Sequence, residues 1–432
     1  MDASVRAEWD RLKTVVLHRP GMEMFFGLLE PYASLYERAF SRDGAVAEHR
    51  RLEEVLHHEF GVSVLSLRDT ITTLADTVPA VRERLIGACR ELVEFTGDDE
   101  ERRFAILEFE KNVPAHDAGH YFDILMTNPK IDVRAGPGMR NIDLAITARQ
   151  PLSNLYFMRD QQAVCGNGVI VSKMAKPQRA REPALTRLFW EATGSPVVTA
   201  IEGPGAFEGG DLMPLKEFAL IGMGDRTNRA GVEQILSSLP GFDEIAVVHQ
   251  PTHPLLPGAL MDPMVAMHLD TYFNVASGGV AIGSAMLMKR AKVERYYRDG
   301  DTYQREPEET DLYSYICEKG FDVIDITTLE QMAYAPNFLC VRDGTILAVE
   351  VDRVAKNVLK TLATRAELDP DRYAALHRQA EMDYRMLKDE GQFFPHKKEV
   401  YQHNIDAYPL SFRNLTGGYG AAHCMTCVVN RG

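Results

Sequence analysis

From Leu155 onward the chain is a succession of short β-branched runs, parted by Gly-containing turns and by helical stretches. This alternation limits the possible folds more than any other feature. Strands are predicted over residues 163–174, 197–201, 218–223, 245–249, 273–275, 280–287, 321–326 and 338–350, and a long charged helical tract over 353–391. Near the start, Thr14-Val15-Val16-Leu17-His18 reads as a buried strand closed by Arg19-Pro20-Gly21. A polar helix over 45–59 and an alternating strand over 62–67 follow. Between 80 and 110, Val81, Leu85, Ile86, Cys89, Leu92 and Val93 recur at helical spacing. Phe104, Ile106, Leu107 and Phe109 continue it past Gly97-Asp98-Asp99, so this stretch reads as a helical insertion. No Gly-x-Gly-x-x-Gly follows a strand and opens a helix, which disfavours a dinucleotide fold. A strand pair plus a helix recurs every ~60 to 70 residues, a hint of radial repetition.

At ~150 residues per domain, 432 residues would make roughly three domains, but closed or propeller-like folds of this size form one unit, so the count stays open. The 48 basic and 62 acidic residues leave a net charge of -14. That field works against nucleic acid and anionic membranes as partners and favours a small cationic substrate. Charges in Met1-Asp2-Ala3-Ser4-Val5-Arg6-Ala7-Glu8-Trp9 are unlike a signal peptide, and the expected location is cytoplasmic. The longest weakly polar run, 278–288, falls short of the ~20 residues that span a bilayer. Six cysteines over this length suit a reducing compartment rather than a disulfide scaffold.

The stretch most suggestive of chemistry is Thr416-Gly417-Gly418-Tyr419-Gly420-Ala421-Ala422-His423-Cys424-Met425-Thr426-Cys427. Small residues let backbone approach a ligand closely, and a cysteine on such a loop can be presented as a nucleophile. Cys424 is that candidate, set against a buried thiol. Cys424-x-x-Cys427 can also be read as half a zinc site or a redox pair, but no second Cys-x-x-Cys supplies the remaining zinc ligands. A base is offered by Met267-His268-Leu269-Asp270-Thr271: on a strand, His268 and Asp270 would share a face. His423, adjacent to the cysteine, would face away on an extended chain. Two acidic clusters complete the set, Phe207-Glu208-Gly209-Gly210-Asp211 and Asn154-Leu155-Tyr156-Phe157-Met158-Arg159-Asp160; in isolation Glu208-Gly209-Gly210-Asp211 reads more readily as a turn with solvated carboxylates. If Asp160, Glu208 and Asp270 converge on Cys424, they would raise its thiol pKa, an arrangement that makes sense with a cationic ligand. A planar guanidinium satisfies carboxylates through paired hydrogen bonds, sets its carbon beside the sulfur and favours the thiolate.

These four motifs, in this order, resemble those of the arginine deiminases within the guanidino-group-modifying, or pentein, superfamily, and Arg11 to Gly21 resembles that family's opening strand. The resemblance implies an α/β fold: a five-bladed, pseudo-fivefold propeller formed by residues 1–78 and 151–432, with a helical insertion at 79–150. It implies that Cys424 attacks the guanidino carbon and that His268 protonates the departing amine and then activates water. Asp160 and Asp270 would hold the guanidinium, and Glu208 would orient His268. Phe157 would pack on the substrate chain, while Asn154, Arg179 (or Arg181, if the alignment slips) and Arg226 would hold the amino acid's polar end. No metal or organic cofactor is implied.

Tyr419 stands where these enzymes carry an arginine, five residues before the nucleophile, and Ala421 and Ala422 replace glycines. A phenol donates a hydrogen bond but no charge, a loss of about 1.5 to 3 kcal/mol unless Arg179, Arg226 or a repositioned Arg413 compensates. The expected activity is hydrolysis of L-arginine to citrulline and ammonia through an amidino-cysteine. Its alternatives are an amidinotransferase, an ornithine-forming dihydrolase and a deiminase of another guanidine such as agmatine. From a different class comes a zinc-binding or non-catalytic binding module. A homo-oligomer is left open.

Overall fold

A computed structural model describes residues 1–135, 142–238, 240–258 and 261–432; residues 136–141, inside the expected insertion, lie outside the described part. Strand β1 (Leu12–Leu17) runs parallel to β2 (Ser63–Ser66). Further on come β3 (Glu94–Thr96), β4 (Pro129–Ala135) and β5 (Ile142–Ala148). Then a single scheme repeats: a hairpin, a helical connection, and a third strand laid parallel to the hairpin's second strand. It is followed by β6 (Gln162–Cys165), β7 (Gly168–Val171) and β8 (Val197–Ala200), and by β9 (Leu212–Leu215), β10 (Phe218–Met223) and β11 (Glu244–His249). Next are β12 (Phe273–Ser277) and β13 (Val280–Gly283), whose return is delayed by the hairpin β14 (Lys292–Asp299) and β15 (Thr302–Asp311) before β16 (Asp322–Asp325). Strands β17 (Leu339–Arg342), β18 (Thr345–Val349) and β19 (Asp406–Leu410) repeat the scheme, and β20 (Cys427–Arg431) pairs antiparallel with β1. Among the described residues there are six sheets. Five share the antiparallel-then-parallel pattern, one of them by joining the two ends of the chain, and one of the five is widened by β14 and β15.

Local sequence explains the hairpins. Two-residue turns join their strands at Gly166-Asn167, Lys216-Glu217, Gly278-Gly279 and Asp343-Gly344, the length that matches strand twist, and all but Lys216-Glu217 contain the glycine such turns favour. Gly344 adopts φ 74, the left-handed conformation such a turn needs. Side chains alternate between two cores: Val169 and Val171 of β7 join the large one, while Ile170 meets Ala163, Cys165, Phe207 and Ile245 in a smaller one. With both faces covered, the inner strands read as continuous apolar runs.

The sequence reading of 79–150 as helical requires correction. Helices Pro79–Leu92, Asp99–Asn112 and Ala118–Thr127 are present, and Asp98, which read as a break, is an N-cap whose carboxylate accepts from Glu101 in a capping box. Strands β3, β4 and β5 form a sixth sheet there. Alternation in Ile142-Asp143-Leu144-Ala145-Ile146-Thr147 has a period of two, which a helical scan overlooks. Phe104, Ile106 and Leu107, which continue the helical spacing in the sequence, are exposed. Among the described residues, no helix is long and apolar enough to cross a membrane.

Candidate active site

Each of the five like-patterned sheets receives its first strand from a tight turn, and these turns carry the polar groups that meet in one place. Asp160 lies just before β6, and Glu208 leads the 3-10 turn Gly209–Asp211 into β9. His268 leads the 3-10 turn Leu269–Thr271, which bears Asp270, into β12. Asn337 precedes β17, and Cys424 precedes β20. The strand expected at 268–270 is therefore a turn. Leu269 N–H donates to Asp211 Oδ1 at 3.0 Å, Met267 N–H to Thr271 Oγ1 at 3.1 Å and Thr271 Oγ1 to the His268 carbonyl at 2.6 Å, local bonds that replace a ladder.

All the expected catalytic side chains are buried and adjacent. His268 Nε2 lies 2.9 Å from Glu208 Oε2, and His268 Nδ1 lies 3.8 Å from Asp160 Oδ1. Burial opposes charge on this imidazole, but Asp160, Glu208 and Asp211 outweigh it and hold the pKa up at about 9, so the ring is protonated at neutral pH. Burial alone would raise the pKa of Glu208; Arg226, His268 and Arg179 hold it at about 2. Cys424 Sγ lies 3.5 Å from Asp270 Oδ2 and accepts a hydrogen bond from Asn337 Nδ2 at 2.9 Å. Burial, then Asp270 and Asp160, push the thiol well above its ordinary range, as convergence of carboxylates requires. Burial also works against charge on Asp270, but the bond from His423 Nδ1 at 2.7 Å keeps its carboxyl low. Asp160 Oδ1 and Asp270 Oδ1 are buried with no hydrogen-bond partner.

Asn154, Phe157, Asp160, Arg179, Arg226, His268, Tyr419 and Cys424 line a single cavity of about 20 Å³, with Glu208 and Asp270 bonded directly behind it. A space of this size takes about one water, so a substrate must displace protein groups to enter. Arg179 is the group most clearly in the way: its Nη1 lies 2.6 Å from Asp160 Oδ2, and Nε and Nη2 bond Glu182. Arg181, the alternative from the sequence, donates to the carbonyls of Leu125 and Gln150 instead. Asn154 Nδ2 donates to the Ser34 carbonyl at 2.7 Å, and the ring of Phe157 lies tilted against Tyr156 with the centroids 4.1 Å apart. Arg226 Nη1 is 3.7 Å from Glu208 Oε1. Arg413 is exposed and does not enter the site. A wider groove of about 800 Å³, lined by Leu92, Leu125, Arg181 and Leu188 among others, has no thiol in its lining.

Ligand-type atoms of Asp160, Glu208 and His268 lie within 4.8 Å of one another, a spacing a cation could use. Their chemistry is already committed: Arg179 and Arg226 lie against the carboxylates, and His268 Nε2 is bonded to Glu208. The donor set fits guanidinium groups better than a metal. Sequence reasoning missed Asn337. Its Oδ1 accepts from the backbone of Ala421 at 2.8 Å and of Cys424 at 3.1 Å while its Nδ2 donates to the sulfur, so one amide fixes both loop and thiol. Its position before β17, matching Asp160, Glu208, His268 and Cys424 before their own strands, was the available signal.

The family model for arginine deiminase matches residues 33–431. The arginine deiminase of Halobacterium salinarum is 25% identical over 98% of this chain and 96% of its own length. That of Rhodococcus erythropolis is 32% identical over 64% of this chain and 68% of its own. Among solved structures, an amidinotransferase from the saxitoxin pathway of Microseira wollei covers 99% of this chain and 97% of its own at 14% identity, with a TM-score of 0.50, a likeness of fold alone.

Proposed function

The chain belongs to the arginine deiminase family, and we propose that it hydrolyses L-arginine to citrulline and ammonia through a covalent amidino-cysteine. One observation carries the mechanism: a buried sulfur shares its surroundings with two carboxylates, each with an unpartnered oxygen, and with a protonated imidazole. Asp160 and Asp270 accept the guanidinium N–H groups through those oxygens. The incoming cation offsets the carboxylate field and lets Cys424 release its proton to solvent. The thiolate then forms a bond to the guanidino carbon. His268 gives its proton to a terminal nitrogen, the C–N bond breaks and ammonia leaves. Neutral His268 next takes a proton from water as its oxygen bonds to the carbon. The C–S bond breaks, the hydroxyl proton passes to sulfur, and citrulline departs with His268 again protonated. Ammonia picks up the proton lost at the first step. Glu208 keeps His268 oriented, Phe157 packs along the substrate chain, and Asn154, Arg179 and Arg226 take the amino-acid end.

In the same reading, the five like-patterned sheets are blades around one axis. Their common pairing and the delivery of a site residue by the turn entering each blade support this. Residues 79–150 form an insertion between blades. Six free thiols suit a cytoplasmic setting.

Incubation with L-arginine, quantifying citrulline, ornithine and ammonia, tests the reaction, with Cys424→Ser as control. Citrulline and ammonia in equal amounts, abolished in Cys424→Ser, are expected. Ornithine with two ammonia per arginine would point to a dihydrolase, and dependence on an amine acceptor to an amidinotransferase.

A further inference from the structure

Glu8, which precedes β1, is buried behind the site rather than in it. Its Oε1 accepts from Arg159 Nη1 at 3.4 Å and its Oε2 from Arg431 Nη2 at 3.2 Å. Burial works against charge here, but Arg159, His423 and Arg431 hold the carboxyl well below its ordinary range. The same Oε2 lies 3.8 Å from His423 Nε2. The segment around His423 is a turn, with Met425 N–H donating to the Ala421 carbonyl at 3.1 Å, so His423 does not face away from Cys424 as it would on an extended chain. Both reach one oxygen: His423 Nδ1 lies 2.7 Å and Cys424 Sγ 3.5 Å from Asp270 Oδ2. An ionised carboxylate only accepts, so Nδ1 is the donor. The terminal torsion of an aspartate is broad and sets no orientation of its own. Among the described residues, His423 and Cys424 make the hydrogen bonds to this carboxylate, both at Oδ2, and Oδ1 is left without a partner.

We infer that His423 is a positioning residue: its Nδ1–H fixes the Asp270 carboxylate so that Oδ1 meets the guanidinium, and Glu8, held by Arg159 and Arg431, keeps the imidazole turned that way from behind. The inference rests on the proposed function. It divides the work between the two oxygens of one carboxylate. Oδ2 is the oxygen nearer the sulfur, where its negative charge opposes a thiolate, and the His423 N–H bonded to it offsets that charge. Oδ1 is thereby kept for the substrate.

The test uses variants at both ends of this chain of contacts. An asparagine side chain sets its amide nitrogen near the place of Nδ1, and alanine offers no donor. His423→Asn should keep kcat/KM for L-arginine within about tenfold of wild type, while His423→Ala should lose about a hundredfold or more. Equal losses overturn the proposal, because they mark a ring that only fills space. Glu8→Gln should cost about fivefold in the wild-type background and less than about twofold in the His423→Asn background. No cost, or the same cost in both backgrounds, overturns the part given to Glu8, since an effect carried by Arg159 to the Cys424 loop would persist without the imidazole. If His423→Ala fails to fold, the Glu8 cycle decides; if Glu8→Gln fails to fold, the comparison at position 423 decides. If wild type turns over no guanidine, the functional reading fails first, and calorimetric titration with L-arginine then addresses Asp270. Binding that is weakened in His423→Ala and restored in His423→Asn upholds the proposal, and equal or absent binding overturns it.

Discussion

His268 keeps its proton well past neutrality because buried carboxylates face it from both sides. Its folded pKa of about 9 lies above the ordinary value of 6.5. The pairing therefore stabilises the fold fully below about pH 6.5 and is lost as pH rises through about 9. In the proposed reaction the acid that serves the departing nitrogen is lost over the same range. Glu208→Gln removes one of those carboxylates and should shift the alkaline limb of kcat/KM downward by about one pH unit or more; an unmoved limb would show that Glu208 does not tune His268. Arg179 makes a second point at this scale. In the proposed reaction Arg179, bonded to Asp160 Oδ2, competes with the substrate guanidinium for that carboxylate, and the neutral head of citrulline loses this competition more readily than arginine does. Arg179→Lys should lower the ratio of the citrulline inhibition constant to the arginine KM by about fivefold, with the ratio cancelling any shared loss at the tail. Cys424, His268, Glu208, Asp160 and Asp270 were legible as candidates because charge or nucleophilicity marks them in a string of letters. Asn337 carries neither mark.

The 3-10 turns explain how short segments can aim side chains so closely. Asp211 ties two of them together: Oδ1 accepts from Leu269 of the next turn and Oδ2 from Thr227 Oγ1 at 2.6 Å. Glu208-Gly209-Gly210-Asp211 needs its glycines for proximity. A Cβ at Gly210 would meet His268 Nδ1 at 2.8 Å and Cγ at 2.9 Å. Gly210→Ala should therefore push the imidazole aside and reduce kcat about tenfold or more while the melting temperature shifts by only a few degrees, measured by steady-state kinetics beside calorimetry. An unchanged kcat would show that the ring has room to move. Strands with β-branched or apolar runs were readable from sequence: 218–223 matches β10 to the residue. Strands β14 and β15 were missed because Lys292–Asp299 and Thr302–Asp311 are largely charged and exposed, with only a few residues such as Val293, Tyr296 and Tyr303 reaching the cores.

At the scale of the whole molecule, the fold is one unit whose ends meet. Strand β1 lies between β2 and β20, Ser4 N–H donates to the Val429 carbonyl at 2.9 Å and Gly432 N–H to the Arg11 carbonyl at 2.9 Å. A circular permutant that joins residue 432 to residue 1 through a short flexible linker and opens the exposed Gly300-Asp301 turn should keep its turnover and melt within a few degrees of the parent. Loss of folding would mean that the continuity of β14 and β15 matters more than their exposed turn suggests. Recurrence of hairpin and helix was visible as a loose period, but pairing between the first and the last strands was not, because no local pattern records contact across nearly the full chain. Distributing the polar groups over the five like-patterned sheets also sets a schedule for synthesis. A chain emerging from the ribosome acquires Asp160, then Glu208, His268 and Asp270, then Asn337, and obtains its sulfur only as the closing strand is made. In the proposed reaction the nucleophile is thus the last of these groups to be synthesised.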